Sequence, residues 1–298
     1  MSLLSVKGVS KFYEDHTALN NLNLEVKQGA TFGLLGPNGA GKTSLIRIIN
    51  QITGPDKGEI LLNGERLKPE HIGQIGYLPE ERGLYPKMKV GEQLLYLAQL
   101  KNLSKAEAKK RVREWLIRFE ADSWWDKNIE ELSKGMAQKV QFIATVIHQP
   151  ELLILDEPFT GFDPINANLI KSEILRLRDE GATIIFSTHR MESVEEICDD
   201  IVLMNQGEKI LEGELQQIKK DNKSGIILAQ IENTPKIEKI QSGEIISQEI
   251  QNHNLCLRLK AKGNTNAVAQ ELLQLGTLLS FTEETPSLNE IFIQKIQA

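Results

Sequence analysis

Eight consecutive residues, Gly36-Pro37-Asn38-Gly39-Ala40-Gly41-Lys42-Thr43, follow the spacing G-x-x-x-x-G-K-[ST] and come directly after the apolar run Thr31-Phe32-Gly33-Leu34-Leu35. Glycines at these positions let the backbone curl so that successive N–H groups point into one concavity, and a helix starting near Gly41 adds its positive end. A polyphosphate fits such a cradle. Lys42 would reach the β- and γ-phosphates as a point charge, and the Thr43 hydroxyl would be one ligand of a bridging Mg²⁺. A second group of chemical residues follows Leu152-Leu153-Ile154-Leu155, where Asp156 and Glu157 stand together before Pro158. At the end of a buried strand, Asp156 is placed to hold the Mg²⁺ through water, and Glu157 to polarise a water for attack on a γ-phosphate.

The elements that must position these groups are those of an alternating α/β chain. Residues 4–9 and 22–26 read as short strands of a β-rich platform ahead of the phosphate loop, and residues 58–64 as a strand closed by an Asn-Gly turn. Tyr13 lies in the connecting stretch Lys11-Phe12-Tyr13-Glu14, where its ring could stack on a base or serve the core. Between residues 85 and 148 the apolar spacing turns helical, over 90–100 and 105–119, which predicts a helical subdomain inserted into the α/β core. The run Lys109-Lys110-Arg111-Val112-Arg113 reads as a solvated face of its second helix, while Trp124-Trp125 fits a partner surface or internal packing equally. A helix over 166–179 and strands over 182–186 and 201–205 continue the alternation, as in a largely parallel sheet. Polar residues around 219–225 predict a linker, beyond which strands over 225–232 and 255–260 and helices over 266–275 and 288–296 indicate a small α+β domain.

Taken with three further motifs, the chain resembles the nucleotide-binding subunit of an ATP-binding cassette (ABC) transporter over residues 2–215. Leu132-Ser133-Lys134-Gly135-Met136-Ala137-Gln138 matches the family's signature loop. Phe159-Thr160-Gly161-Phe162-Asp163 stands at the D-loop, and Ser187-Thr188-His189 ends a strand as the switch histidine does. The resemblance implies an α/β fold: a P-loop NTPase core of the ABC ATPase type with a β-rich subdomain and an inserted helical subdomain (residues 85–148), in a nucleotide-binding domain of residues 1–219. Residues 220–298 would form the small α+β domain. It also implies roles. Glu157, His189 and Lys42 would be catalytic, with His189 sensing the γ-phosphate. Nucleotide would be bound by Tyr13, Gly36, Pro37, Asn38, Gly39, Ala40, Gly41, Lys42, Thr43, Ser44 and Glu80, with Ser133, Gly135 and Gln138 reaching across a dimer interface. Thr43 and Asp156 would hold the metal. In this family ATP joins two such subunits, as a homodimer or a heterodimer, and hydrolysis lets them open.

Two residues depart from the family pattern: Glu80, in Ile75-Gly76-Tyr77-Leu78-Pro79-Glu80, replaces the usual Q-loop glutamine, and Phe162 stands where leucine is common. A carboxylate accepts hydrogen bonds as an amide oxygen does, yet donates none. The segment after Lys219 resembles the C-terminal extension of bacterial ATPases serving ABC-2 type exporters, including sodium and drug efflux systems, through Pro286-Ser287-Leu288-Asn289-Glu290-Ile291-Phe292.

The 298 residues are 40% hydrophobic and 26% charged, which suits a globular chain of two domains. A net charge of -6 argues against a protein that coats nucleic acid or an anionic membrane. Cys198 and Cys256 match no metal or redox spacing and read as reduced, packed thiols of a cytoplasmic protein. No run reaches the roughly 18 apolar residues of a membrane-spanning helix, so any membrane connection is expected through a partner. The leading expectation is an ATPase, cytoplasmic and peripheral on the inner face of the membrane, that powers export through a separate integral permease and binds no nucleic acid. The alternative is a soluble cassette ATPase acting on ribosomes or DNA; such proteins carry tandem cassettes or long coiled coils, and this chain has one P-loop and no sustained heptads. An inactive scaffold is disfavoured by the presence of Lys42, Asp156, Glu157 and His189 together.

Overall fold

The first two strands are longer than their alternation suggests. The computed structural model describes residues 1–14, 16–81 and 83–297, with residues 296 and 297 described by backbone alone. In it β1 spans Ser2–Tyr13 and β2 spans His16–Lys27. Register shifts in their pairing put neighbouring residues, Leu3 with Leu4 and Val9 with Ser10, on the buried side. Bulges of this kind interrupt the period of two and hide half of each strand from a pattern search. Tyr13 is therefore the last residue of β1 and not part of a connecting loop.

Next come β3 (Thr31–Leu35), α1 (Lys42–Ile49), β4 (Lys57–Leu62), β5 (Glu65–Arg66) and β6 (Ile75–Leu78). The turn between β4 and β5 has Asn63 at φ 52° and Gly64 at φ 79°, the left-handed pair that an Asn-Gly hairpin requires. The helical stretch follows as α2 (Val90–Leu100), α3 (Lys105–Arg118) and α4 (Lys134–Val146). After it come β7 (Leu152–Asp156), α5 (Pro164–Asp179), β8 (Thr183–Thr188), α6 (Met191–Ile197), β9 (Asp200–Asn205) and β10 (Glu208–Glu214). The last elements are α7 (Leu215–Asp221), β11 (Ile226–Ile231), β12 (Gly243–Gln251), β13 (Asn254–Ala261), α8 (Thr265–Leu275), β14 (Leu278–Glu283) and α9 (Leu288–Gln297).

Two compact units result, Met1–Leu215 and Gln216–Ala298. The first holds an antiparallel sheet, ordered β2-β1-β4-β5, and a six-stranded sheet, ordered β10-β9-β3-β8-β7-β6. The latter is parallel apart from β10. Its strands β3, β7 and β8 are buried along their whole length and read as continuous apolar runs, as strands covered on both faces do. One apolar cluster joins both sheets to α1 through Leu45, Ile46, Ile48 and Ile49. Burying each of these side chains stabilises the fold by about 1.5–3 kcal/mol. The helix that carries Lys42 is thus clamped between two sheets.

In the helical stretch, Trp115, Phe119 and Phe142 stack with centroids 5.7 and 5.9 Å apart in sequence, joining α3 to α4. Trp125 lies against Gly91 of α2, so closely that a Cβ there would run into its ring, and Arg113 stands over it at 5.5 Å. Trp124 and Trp125 are both half-buried, and Trp125 serves internal packing.

In the second unit β12-β13-β11-β14 form an antiparallel sheet. Ile227, Ala229 and Ile231 alternate on one face with Leu255, Leu257 and Leu259, and Val268 and Leu272 of α8 cover them. Lys219, Lys220 and Asp221, polar enough to predict a linker, are instead the last turn of α7. The strands β12 and β14 carry no clean alternation and were not legible beforehand.

Candidate nucleotide site

The phosphate loop joins β3 to α1 with three glycines in left-handed backbone, Gly36 at φ 149°, Gly39 at φ 82° and Gly41 at φ 102°. At Gly36 and Gly41 a side chain is also sterically impossible. A Cβ would run into the Met204 carbonyl at the first and the Ala18 carbonyl at the second. Gly41 caps α1, whose first N–H groups have no partners inside the helix and face the loop's concavity with the positive end of the dipole. Ala40 holds the turn, donating to Pro37 O at 3.2 Å and accepting from Gly207 N at 3.1 Å. The buried Lys42 ammonium donates to the loop's own carbonyls, Gly36 O at 2.7 Å and Pro37 O at 3.1 Å. Burial pulls its pKa below the usual lysine range, against the carboxylates of Glu157, Asp156 and Glu80. Asn38, Gly39 and Thr43 are exposed, and Ser44 and Pro37 half-buried.

The carboxylates stand at the ends of neighbouring strands. Asp156 is buried, and its Oδ1 accepts from Ser187 Oγ at 2.8 Å across the β7–β8 pair. Burial raises its pKa, reinforced by the negative charges of Glu157 and Glu80 and opposed by the Ser187 bond and Lys42. Tyr77 beneath it is pushed up to about 12, first by burial and then by Asp156. Glu157 sits at φ 51°, a left-handed conformation that bulky side chains adopt only when their surroundings hold them there. Its own N–H donates to Ser187 O at 2.8 Å. Its carboxylate accepts from Thr188 Oγ1 at 3.0 Å, His189 N at 2.8 Å and His189 Nδ1 at 2.5 Å. Glu157 and His189 are thus a hydrogen-bonded pair. A cleft of about 330 Å³ is lined by Glu80, Asp156 and Glu157 together with Lys134, Gln138, Gln141 and Thr160. Hydroxyl and carboxylate oxygens with a lysine nearby are the donor set a hard divalent cation and a triphosphate require, so the residues present fit both.

The remaining expected residues divide. Ser133 caps α4, its Oγ accepting from Met136 N at 3.3 Å, and Gly135 follows in the first turn. Neither lines that cleft. Gln138, expected to face nucleotide, donates its amide N–H to the Thr160 carbonyl. Tyr13 is 40% exposed at the tip of β1, with the Lys11 ammonium 5.4 Å from its ring centre. Lys11 and the Phe12 N–H are both tied to Asp56, which fixes that tip. Two supporting residues escaped sequence reasoning, Ser187 as the partner of Asp156 and Gln141, which donates to Glu81 O at 3.2 Å. A hydroxyl closing a buried apolar strand was the available signal for the first.

Both units have counterparts among known proteins. Residues 19–160 match the ABC transporter family, and residues 213–296 match the C-terminal domain of DrrA1-3-like ATP-binding proteins. The ABC transporter ATP-binding protein YhaQ of Bacillus subtilis is 41% identical over 99% of each chain. The Nod factor export ATP-binding protein I of Cupriavidus metallidurans is 36% identical over 73% of each. Among solved structures, the ATP-binding subunit of an ABC transporter superposes with a TM-score of 0.69 at 33% identity, over 74% of this chain and 93% of the other. Since the match to YhaQ runs through the phosphate loop, the carboxylate strand and the second unit alike, the chain belongs to the ATP-binding proteins of ABC transporters and is an ATPase.

Proposed function

We propose that this ATPase powers export through a separate integral membrane permease, from the cytoplasmic face of the membrane, and that it works as an ATP-bridged dimer. The observation that carries the catalytic part is the Glu157–His189 pair, set beside Asp156, with His189 at the end of β8 next to the phosphate-loop strand and Glu157 at the end of β7 beyond it. Glu157 takes a proton from the attacking water, and His189, bonded to the same carboxylate, orients it and meets the γ-phosphate. Lys42 leaves Gly36 O and Pro37 O for the β- and γ-phosphates. Thr43 and Asp156 would hold Mg²⁺, which when bound would supply positive charge to offset the carboxylates and the triphosphate. Tyr13 stacks on the base, and Ser133 and Gly135 present the helix end of α4 to the nucleotide of the other subunit.

Support for export comes from relatives named for Nod factor export and for linearmycin resistance. No helix among the described residues is long and apolar enough to cross a membrane, which is consistent with a permease made by another chain. The test is purification of the chain from membranes with identification of the integral protein bound to it, followed by ATP hydrolysis by the pair in vesicles. Recovery with ribosomes or DNA instead, or an integral partner that leaves hydrolysis unchanged, defeats the reading.

A further inference from the structure

One face of α4 carries Lys134, Gln138, Gln141 and Thr145, spaced at i, i+4, i+7 and i+11 so that they form a single polar stripe on the helix. Each touches the backbone of a loop that carries a carboxylate or of the strand leading to it. Thr145 Oγ1 approaches Tyr77 O at 3.4 Å, and Gln141 Nε2 lies 3.4 Å from Pro79 O and 3.2 Å from Glu81 O, on either side of Glu80. Gln138 Nε2 donates to Thr160 O, and the stem of Lys134 passes over Gly161 so closely that a Cβ there would run into its Cε. Thr160 in turn donates its N–H to Glu157 O at 3.1 Å, closing the turn that holds Glu157 at φ 51°.

We propose that Gln138 is a positioning residue for ATP hydrolysis, which fixes the Glu157 turn to the signature helix through the Thr160 carbonyl. The proposal rests on the assignment of Glu157 as the base. A purely stabilising role accounts poorly for the side chain, because Gln138 Oε1 is buried with no hydrogen-bond partner among the described residues. An unpaired buried acceptor is unfavourable, and an apolar residue of the same shape would pack there without it. What an apolar residue lacks is the donor to Thr160 O. Since the same stripe holds the Glu80 loop through Gln141, a displacement of α4 moves the backbone at Glu80 and at Glu157 together, and Gln138 is the link on the Glu157 side.

The test is a double-mutant cycle on the full chain, with kcat and KM for ATP measured for Gln138→Met, Glu157→Gln and the pair. Gln138→Met keeps the size and removes the donor. It should lower kcat about fivefold to tenfold, the worth of one hydrogen bond, while KM for ATP stays within about twofold. In the Glu157→Gln background the same change should lower the residual rate by less than about twofold, because the group it positions is already gone. Wild-type kcat in Gln138→Met, or an equal loss in both backgrounds, overturns the proposal. Should the methionine variant not fold, Gln138→Glu, with the same shape and an oxygen facing Thr160 O, carries the test with the same expected loss. If Glu157→Gln alone leaves hydrolysis unchanged, the base assignment has failed. A slowed Glu157→Gln with an unaffected Gln138→Met removes only the Gln138 link.

Discussion

At the scale of single residues, Glu157 concentrates the chemistry because three donors converge on its carboxylate while its backbone is held left-handed. Glu157→Gln keeps the shape and loses the base, so ATP binding should persist while turnover falls by about 10²–10⁴, the usual worth of general base catalysis. Gel filtration of this variant with ATP should reveal a stable dimer, and an unchanged rate would remove Glu157 from the mechanism. Glu80 raises a separate question of charge. It shares a cleft with Asp156 and Glu157, and its charge helps push the Asp156 carboxyl upward. Glu80→Gln lifts that repulsion and should strengthen Mg²⁺-ATP binding in titrations at several Mg²⁺ concentrations. Weaker binding would instead mean that Glu80 helps to hold the metal. These residues were legible in the sequence because each stands at a fixed offset from an apolar strand. Gln141 and Ser187 were not, because their partners are backbone and side-chain atoms 60 and 31 positions away, brought near only by the sheet.

The elements obey a similar division. The phosphate loop was readable because its glycines answer a local steric demand. Gly41→Ala should therefore abolish nucleotide binding in a fluorescence titration, since the added methyl meets the Ala18 carbonyl. Retained affinity would show that the loop relaxes. Strands β1 and β2 were read at half their length because bulges break the alternation, and β12 and β14 were missed because exposed edge strands have little apolar face to display. The helical stretch, by contrast, advertises itself by period but hides its attachment to the sheet. His148 donates its Nε2–H to Ile75 O, 3.2 Å away, while its Nδ1 is buried with no partner among the described residues. Burial, with the charges of Lys101 and Arg111 nearby, lowers its pKa to about 4 from 6.5. A group depressed in the folded state is protonated first in the unfolded one, so its contribution is intact above pH 6.5 and is lost as pH falls toward 4. The melting temperature should drop across that window, and His148→Gln should flatten the drop. Parallel curves for the two proteins would exclude His148 as its source.

On the scale of the whole molecule, the two units keep separate apolar clusters, one confined to residues 3–204 and the other to 227–281. Every proposed site residue lies at or before His189. A chain ending at Lys220 should therefore bind ATP as the full chain does, measured by titration of the folded truncation. Loss of binding in a folded product would assign the second unit a part in the site. The strand order has a further consequence. Reading along β3-β8-β7-β6, the C-terminal ends deliver the phosphate loop, His189, the Asp156–Glu157 pair and the Glu80 loop in that sequence. Hydrogen bonding fixes the distance between neighbouring strands, so three steps make a rule of about 14 Å that no loop substitution can stretch. On the proposed assignment the loop grips the phosphate chain, and its γ end alone reaches out along this rule. Loss of a phosphate then shortens the ligand against a scale of constant length. The difference between ATP and ADP becomes a gap on this scale, bordered by His189 at the first mark beyond the loop and by the Glu80 loop at the last.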